Sequence, residues 1–341
     1  MSKDKLIFLA AVVAVFALNF LSPHIDPYYY TIIIYIGINI ILASSLNLIN
    51  GYTGQFSLGH AGFMAIGAYM SAAVSTYFAP EFSGLISMGA VGEGIVFVIL
   101  LIIAGVAAAL AGILVGVPSL RLRGDYLAIT TLGFAEIIRV IIQSLDVVGA
   151  SQGFRGAYIF NNGMKTAQIP ADMSDVPNTF FAVPKFTDFF WTYLFVAVII
   201  FFIVNLMNST YGRGFLAVKD DEVAAESMGV NSTKFKVIAF VSGAFFAGIA
   251  GSLYAHFNLY INPEDFNFLK SVEIVVMVIL GGMGSLVGVI IAAVLLTILP
   301  ELLRGVAEYR MIIYALLLII MMLTRPQGLF GVKLRTRKSR T

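Results

Sequence analysis

Apolar runs of about twenty residues recur along almost the whole chain, and nothing else limits its fold as strongly. A hydrocarbon core about 30 Å thick is crossed by about 20 apolar residues in α-helix. The predicted spans are 6–22, 28–49, 57–78, 91–116, 126–145, 190–207 and 236–257. A short run at 272–280, a longer one at 286–303 and a last at 310–324 follow. Only 12% of the 341 residues are charged, against about a quarter in soluble domains. A water-facing globule with so few charges could not cover its own surface. The expected fold is all-α: one polytopic membrane domain over 1–341 with about ten transmembrane helices.

Lys and Arg in the short loops set the orientation. Lys3 and Lys5 precede the first run, which passes into Leu21-Ser22-Pro23-His24 without a small-x-small cleavage site, so it reads as an uncleaved span. With the N-terminus inside, the loop 117–125 (Arg121, Arg123) and the segment 208–235 (Arg213, Lys219, Lys234) are also cytoplasmic. The long loop 146–189 is then external. The tail 325–341, with Arg325, Lys333, Arg335, Arg337, Lys338 and Arg340, belongs inside, which requires an even number of spans. The run 272–280 is therefore counted as crossing or half-crossing, a broken helix ended by Gly281-Gly282-Met283-Gly284. The tail is juxtamembrane rather than a nucleic-acid arm, because the net charge is only +2 and no nucleic-acid-binding pattern accompanies it. There is no cysteine, which removes disulfide and thiolate chemistry.

A helix break at membrane depth is tolerated only inside protein or beside a water-filled path. Two segments invite one: Gly51-Tyr-Thr-Gly54-Gln55-Phe-Ser57-Leu-Gly59-His60-Ala-Gly62 and Leu280-Gly-Gly-Met-Gly284-Ser285. One lies in each half of the chain, and paired glycine-interrupted segments mark the central pathway in other transporters. Gln55, Ser57, His60, Gly281, Gly282 and Gly284 are candidate pathway residues on this basis. The alternative is close helix packing, which suits Gly112-x-x-x-Gly116 and Gly284-x-x-x-Gly288.

Glu136 and Arg139 lie inside the apolar run 126–145, where ionisable groups are costly and are functional or paired. At i, i+3 they share a helix face. Either that face lines a pathway, offering opposite charges to a zwitterion, or the two residues satisfy each other. His60 reads as a hydrogen-bonded interior histidine; His24 and His256 are too distant in sequence to complete a metal site with it. Gly149-Ala-Ser151-Gln-Gly153 has the letters of a nucleophile elbow but follows a membrane helix, where the strand-to-helix turn is missing. Ser57 with His60 is the local candidate for an intramembrane enzyme.

The segment 208–235 is the most informative. Its spacing predicts a short helix from Asp220 to Met228, with Asp220, Asp221 and Glu222 at the positive end of the dipole. Gly229 is its stop. Val223, Ala224 and Met228 form an apolar stripe facing away from the acids. The acidic character argues against anionic lipid and for a protein partner. No Gly-x-x-x-x-Gly-Lys-Ser/Thr loop occurs in the chain, so ATP-driven work would need another subunit.

Ala224-Ala225-x-x-x-Gly229 resembles the cytoplasmic coupling motif of ABC importer permeases. The longer run from Gly212-Arg-Gly through Asn231 is similar to its form in the branched-chain amino-acid permeases. Gly51 to Gly62, Leu120-Arg-Leu-Arg-Gly-Asp-Tyr-Leu-Ala-Ile-x-Thr-Leu-Gly-Phe134 and Leu280 to Ser285 agree with that family, and the second of these with its LivM-type subunit. Arg325-Pro-Gln-Gly-Leu329 agrees as well. No Ile-x-Leu-Pro element follows Gly229, and Asp146 to Lys185 is longer than the family pattern. The resemblance implies an ABC importer permease fold in a bacterial or archaeal cytoplasmic (inner) membrane, both termini cytoplasmic. It implies a heterodimer with a second permease subunit, two cytoplasmic ATPase subunits and an external substrate-binding protein. ATP and Mg would sit on the ATPases, with no cofactor or metal on this chain. Arg213, Asp220, Asp221, Glu222, Ala224, Ala225 and Gly229 would form the coupling site. The substrate would be a branched-chain or related amino acid, with urea, amides and sugars as alternatives in sister permeases. An intramembrane enzyme and an ion-driven carrier are the rivals from other classes.

Overall fold

A computed structural model describes residues 3–20, 24–119, 125–159, 165–167 and 179–303, with 315, 316 and 319. The predicted arginine loop around 121–123, most of the last span 310–324 and the basic tail 325–341 lie outside the described residues. The described helices are α1 (Lys3–Asn19), α2 (Pro27–Asn50), α3 (His60–Tyr77), α4 (Ala79–Ile86), α5 (Ala90–Ser119) and α6 (Asp125–Ser144). They continue with α7 (Phe189–Asn208), α8 (Thr210–Asp220), α9 (Glu222–Ser227), α10 (Ser232–Asn258), α11 (Phe268–Gly281) and α12 (Leu286–Leu302). Predicted spans coincide with α1, α2, α3, α5, α6, α7, α10, α11 and α12. Among the described residues, α2, α5, α6, α7 and α10 are long and apolar enough to cross a bilayer by themselves.

Burial sorts these helices into layers. The apolar window of α2 is 78% buried and that of α10 67%, against 28% for α6 and α7. So α2 and α10 form the centre and the other two face outward. α10 packs on α2, α3 and α5, while α2 also touches α7, α11 and α12. α1 lies antiparallel on α7 through Phe8–Phe201 and Phe16–Phe190 ring contacts. Lipid tails are as apolar as leucine, so close packing rather than hydrophobic expulsion holds such helices together. The α3–α10 contact shows how close. A Cβ built on Gly67 would lie 2.2 Å from the carbonyl oxygen of Gly248, and one on Gly251 would lie 2.0 Å from that of Met64.

Three features depart from the predicted arrangement. Residues 51–59 are not helical, so α3 begins at His60 instead of 57. Ala79–Ile86 forms an additional short helix where a loop was expected, started by Pro80 in its first turn with Glu81 beside it, both favoured there. The loop 146–189 holds a small antiparallel sheet in the order β2-β1-β3, with β1 Gly156–Ile159, β2 Lys165–Thr166 and β3 Thr179–Ala182. Tyr158 pairs with Thr166 on one side and with Phe180 on the other. A backbone bridge, Phe154 to Ile261, and the Tyr260 hydroxyl donating to Gln152 O at 2.8 Å tie this loop to the connection after α10. This sheet and α8 lie at opposite ends of α7, so β1–β3 sit at the end of the bundle away from α8 and α9. Ser151 sits in a 3-10 turn, Ala150–Gln152, and not at a strand-to-helix elbow.

Gly67→Ala should push α3 from α10 and destabilise the bundle by about 1–3 kcal/mol. Gly133→Ala in α6, where a Cβ meets nothing within 4 Å, should be neutral or stabilising. Thermal unfolding of the two variants in detergent checks the contrast.

Candidate functional site

The segment after α7 is two helices rather than one. Ser209 caps α8, its hydroxyl accepting from Tyr211 N at 3.1 Å. Asp221 then leaves helical geometry, with φ −158 and ψ 109. Its carboxylate accepts from Val223 N at 2.9 Å and Ala224 N at 3.0 Å. Aspartate is among the best N-caps, so Asp221 begins a new helix instead of occupying the first turn of the predicted one. Asp220 consequently ends α8. Gly229, at φ +84, is the stop as predicted. The acids of α9 are tied to α10: Glu222, half-buried, pairs with Lys236 at 2.6 Å, and Glu226, exposed, accepts from the Ser232 hydroxyl. Ala225 between them is buried. The exposed surface of α9 carries apolar side chains, Val223 at 61% and Met228 at 84%, with Ala224 exposed between them and Asp221, Glu226 and Ser227 exposed beside them. Arg213 is exposed on α8, its guanidinium 3.4 Å from Thr210 Oγ1.

Beneath this pair of helices, the two glycine-interrupted segments meet. A Cβ on Gly51 would lie 2.5 Å from Gly284 N, and Gly284 N donates to Asn47 Oδ1 at 2.9 Å. Gly284 has φ +90, a conformation natural for glycine and strained for other residues. Lys219 of α8 reaches into the junction. Its Nζ donates to Gly51 O at 2.6 Å, and it would touch a Cβ on either Gly54 or Gly284. The extended segment 51–59 is largely buried, and its main chain finds partners one by one. Gln55 N donates to Ile49 O at 3.2 Å, Ser57 N to Asn50 Oδ1 at 3.2 Å, and Leu58 N to Thr131 Oγ1 of α6 at 3.1 Å. Just beyond, Ala61 N donates to Ser271 Oγ of α11 at 3.2 Å.

His60 is fully buried, and its Nε2 is 2.7 Å from Ser45 Oγ. Ser57 Oγ, both polar ends of the Gln55 side chain and His60 Nδ1 are buried with no hydrogen-bond partner among the described residues. The Ser57–His60 pair that an intramembrane hydrolase would need is thus not formed. Glu136 and Arg139 do pair, at 2.8 Å, and Arg139 also binds Glu264, at 2.8 Å. Gln143 donates to the same Glu264 oxygen at 2.7 Å. This cluster ties α6 to the connection between α10 and α11.

A cavity of about 310 Å3 opens between α2, α11 and α12, with Tyr35, Asn39, Lys270, Glu273 and Thr297 among its polar lining. Neither Glu136 nor Arg139 reaches it, nor do Gln55, Ser57 and His60. Among the described residues no cluster of three metal-ligating side chains occurs.

Residues 28–322 match the family model described as the branched-chain amino acid transport system permease component. The chain belongs to this family of permease components. It is similar to the high-affinity branched-chain amino acid transport system permease protein LivM of Salmonella typhimurium, with 37% identity over 303 residues, 86% of this chain and 67% of that protein. LivM of Escherichia coli matches to the same extent. The probable branched-chain amino acid transport permease protein LivM of Methanocaldococcus jannaschii is 25% identical over 337 residues, 89% of this chain and 93% of that protein. The permease protein LivH of Escherichia coli matches over a shorter stretch, 31% identical across 143 residues, 41% of this chain and 46% of that protein. No solved structure matches. The LivM-type resemblance read from the motifs is borne out, and a multi-pass membrane permease follows from the family together with its apolar helices.

Sequence reasoning missed the polar side chains that hold this permease together at its breaks. Asn47 and Asn50, three apart just before Gly51, signal a helix end whose last groups need partners. Lys270 and Glu273, at i, i+3 with Glu273 inside the run 272–280, are the same kind of intramembrane charge pair as Glu136 and Arg139. Lys219→Met keeps the aliphatic stem but leaves Gly51 O without its donor. Thermal unfolding should show a loss of about 1–3 kcal/mol, with Lys219→Arg losing less.

Proposed function

We propose that this permease is the membrane subunit of an ATP-driven ABC importer for branched-chain or related amino acids. The observation that carries the reading is the outward face of α9. Val223, Ala224 and Met228 are exposed at the end of the bundle, while Glu222 and Glu226 beside them are tied to α10. An exposed apolar patch on a rigid mount suits a protein groove. The LivM relatives are named as branched-chain amino acid permeases, which supports the substrate class. The same family includes relatives named LivH, which supports pairing with a second, different permease chain. On this reading two ATPase subunits hold ATP and Mg and receive α8 and α9 in the cytoplasm. An external binding protein delivers the substrate at the end closed by β1–β3. Both termini are cytoplasmic, and the membrane is the bacterial or archaeal inner membrane.

Closure of the ATPases on ATP would move α8 and α9 as a unit. Lys219 passes that movement to Gly51 and Gly284, and so to α2, α11 and α12. A docked partner can shift the pathway only if it contacts its two states differently, and the glycine junction is where the bundle can bend. Arg213, Asp220, Asp221 and Glu222 shape and fix the docking face, Ala224 contributes to its surface, and Ala225 and Gly229 set the helix on which it rests. Glu136 and Arg139, held by Glu264, act as a brace between α6 and the far connection.

Ala224→Asp or Met228→Asp should leave the fold intact, since both side chains are exposed. Co-purification with the ATPase subunits should fall at least tenfold, and amino-acid uptake with it. Unchanged association in both variants would defeat the docking assignment.

A further inference from the structure

The cavity between α2, α11 and α12 combines features that suit one chemical class. Its walls are apolar where Ile38, Met64 and Leu296 line it, and polar around Lys270, Glu273 and Asn39. Its volume, about 310 Å3, lies at the low end of small-molecule pockets, which fits a single small solute rather than a peptide or oligosaccharide. Lys270 Nζ donates to Glu273 Oε2 at 3.0 Å and to Asn39 Oδ1 at 3.4 Å. Two of the three ammonium hydrogens are therefore engaged. Asn39 is held in that orientation because its amide nitrogen donates to Thr297 Oγ1 at 2.9 Å. Thr297 in turn donates to Ala293 O at 2.7 Å.

The other carboxylates on the lining already have partners. Glu301 accepts from Tyr28 Oη at 2.5 Å, and Asp265 accepts from Asn262 N at 3.3 Å. The Lys270–Glu273 pair lies on one helix face with both side chains partly open to the cavity, 22% and 34% exposed. Ionisable groups at membrane depth are costly and face a bundle interior or a polar path, and this pair lines the cavity. Urea, amides and sugars carry no charges that would use it. A zwitterion carries both, at adjacent positions.

We propose that this cavity is a transit subsite for an α-amino acid zwitterion. Lys270 binds the carboxylate, Glu273 binds the ammonium group, and Ile38, Met64 and Leu296 receive an apolar side chain. The pair opens to admit the solute and closes when it leaves, so neither charge is stranded in either state. This inference rests on the reading of the chain as part of an amino-acid importer.

The test uses the complete assembly with its binding protein in proteoliposomes, with leucine as the probe. Lys270→Met/Glu273→Gln removes both charges together and leaves none unpaired, so assembly should be kept. Leucine uptake should fall at least tenfold while ATP hydrolysis stimulated by the loaded binding protein persists. Saturation-transfer NMR on the assembly without binding protein supplies a readout that a merely structural pair would not move. The wild type should favour leucine at least fivefold over isoamylamine and over 4-methylpentanoate. Lys270→Met should lose the preference over the amine, and Glu273→Gln the preference over the acid. If the wild type imports leucine but the variants keep its uptake and its preferences, the subsite alone is overturned. If the wild-type assembly imports no amino acid, the functional reading falls and the subsite falls with it.

Discussion

A main-chain amide or carbonyl left without a partner inside a bilayer costs several kcal/mol, and the fold depends on how residues 51–59 meet that constraint. The segment leaves helical geometry in the middle of the protein, so its polar groups cannot bond in sequence. Side chains from four different helices serve the segment and the first turn of α3 that follows it. Asn50 of α2 holds Ser57, Thr131 of α6 holds Leu58, Ser271 of α11 holds Ala61, and Lys219 of α8 holds Gly51. The α11–α12 turn closes the set through Gly284 and Asn47. The break is thus a junction rather than a gap in the architecture.

That junction explains the division of labour around it. On one side lies a pair of short helices in which Glu222 and Glu226 are tied to α10 and Val223 and Met228 are exposed. On the other lie α11 and α12, which carry the charged lining of the cavity. α2 runs between the two, with Asn47 and Asn50 at the junction and Asn39 at the cavity. On the proposed reading, a displacement of α8 would reach the cavity through the Lys219 and Asn47 hydrogen bonds and α2 itself. Small residues between α3 and α10 keep the central bundle from absorbing the movement, because contacts that close leave little room to slide.

Much of this was legible in the sequence, for reasons that differ from element to element. Long apolar runs placed the membrane helices because bilayer thickness fixes their length. The glycine clusters at Gly51–Gly62 and Leu280–Ser285 were readable as breaks, but their contact was not, since 232 of the 341 positions lie between Gly51 and Gly284. The helix expected from Asp220 to Met228 splits because Asp221 is as good a cap as Asp220, and composition alone does not rank two adjacent aspartates. Glu136 and Arg139 were visible as a pair, yet their third member, Glu264, lies in a connection that no periodicity marks. Lys270 and Glu273 sit at the edge of an apolar run, where long charged side chains pass for interfacial residues. The strands in the long loop are too short to announce themselves by alternation.

The central claim is that α8, α9 and the glycine junction move as one body. The chain has no cysteine, so introduced cysteines can be labelled without background. Val223, Met283 and Leu114 are all exposed and accept spin labels. Pulsed EPR distances in the assembled complex, with and without ATP trapped on its ATPases, decide the matter. The distance between labels at Val223 and Met283 should stay fixed while that between Met283 and Leu114 changes. A Val223–Met283 distance that shifts with nucleotide while Met283–Leu114 stays constant would show that the coupling helices slide over the junction instead of driving it.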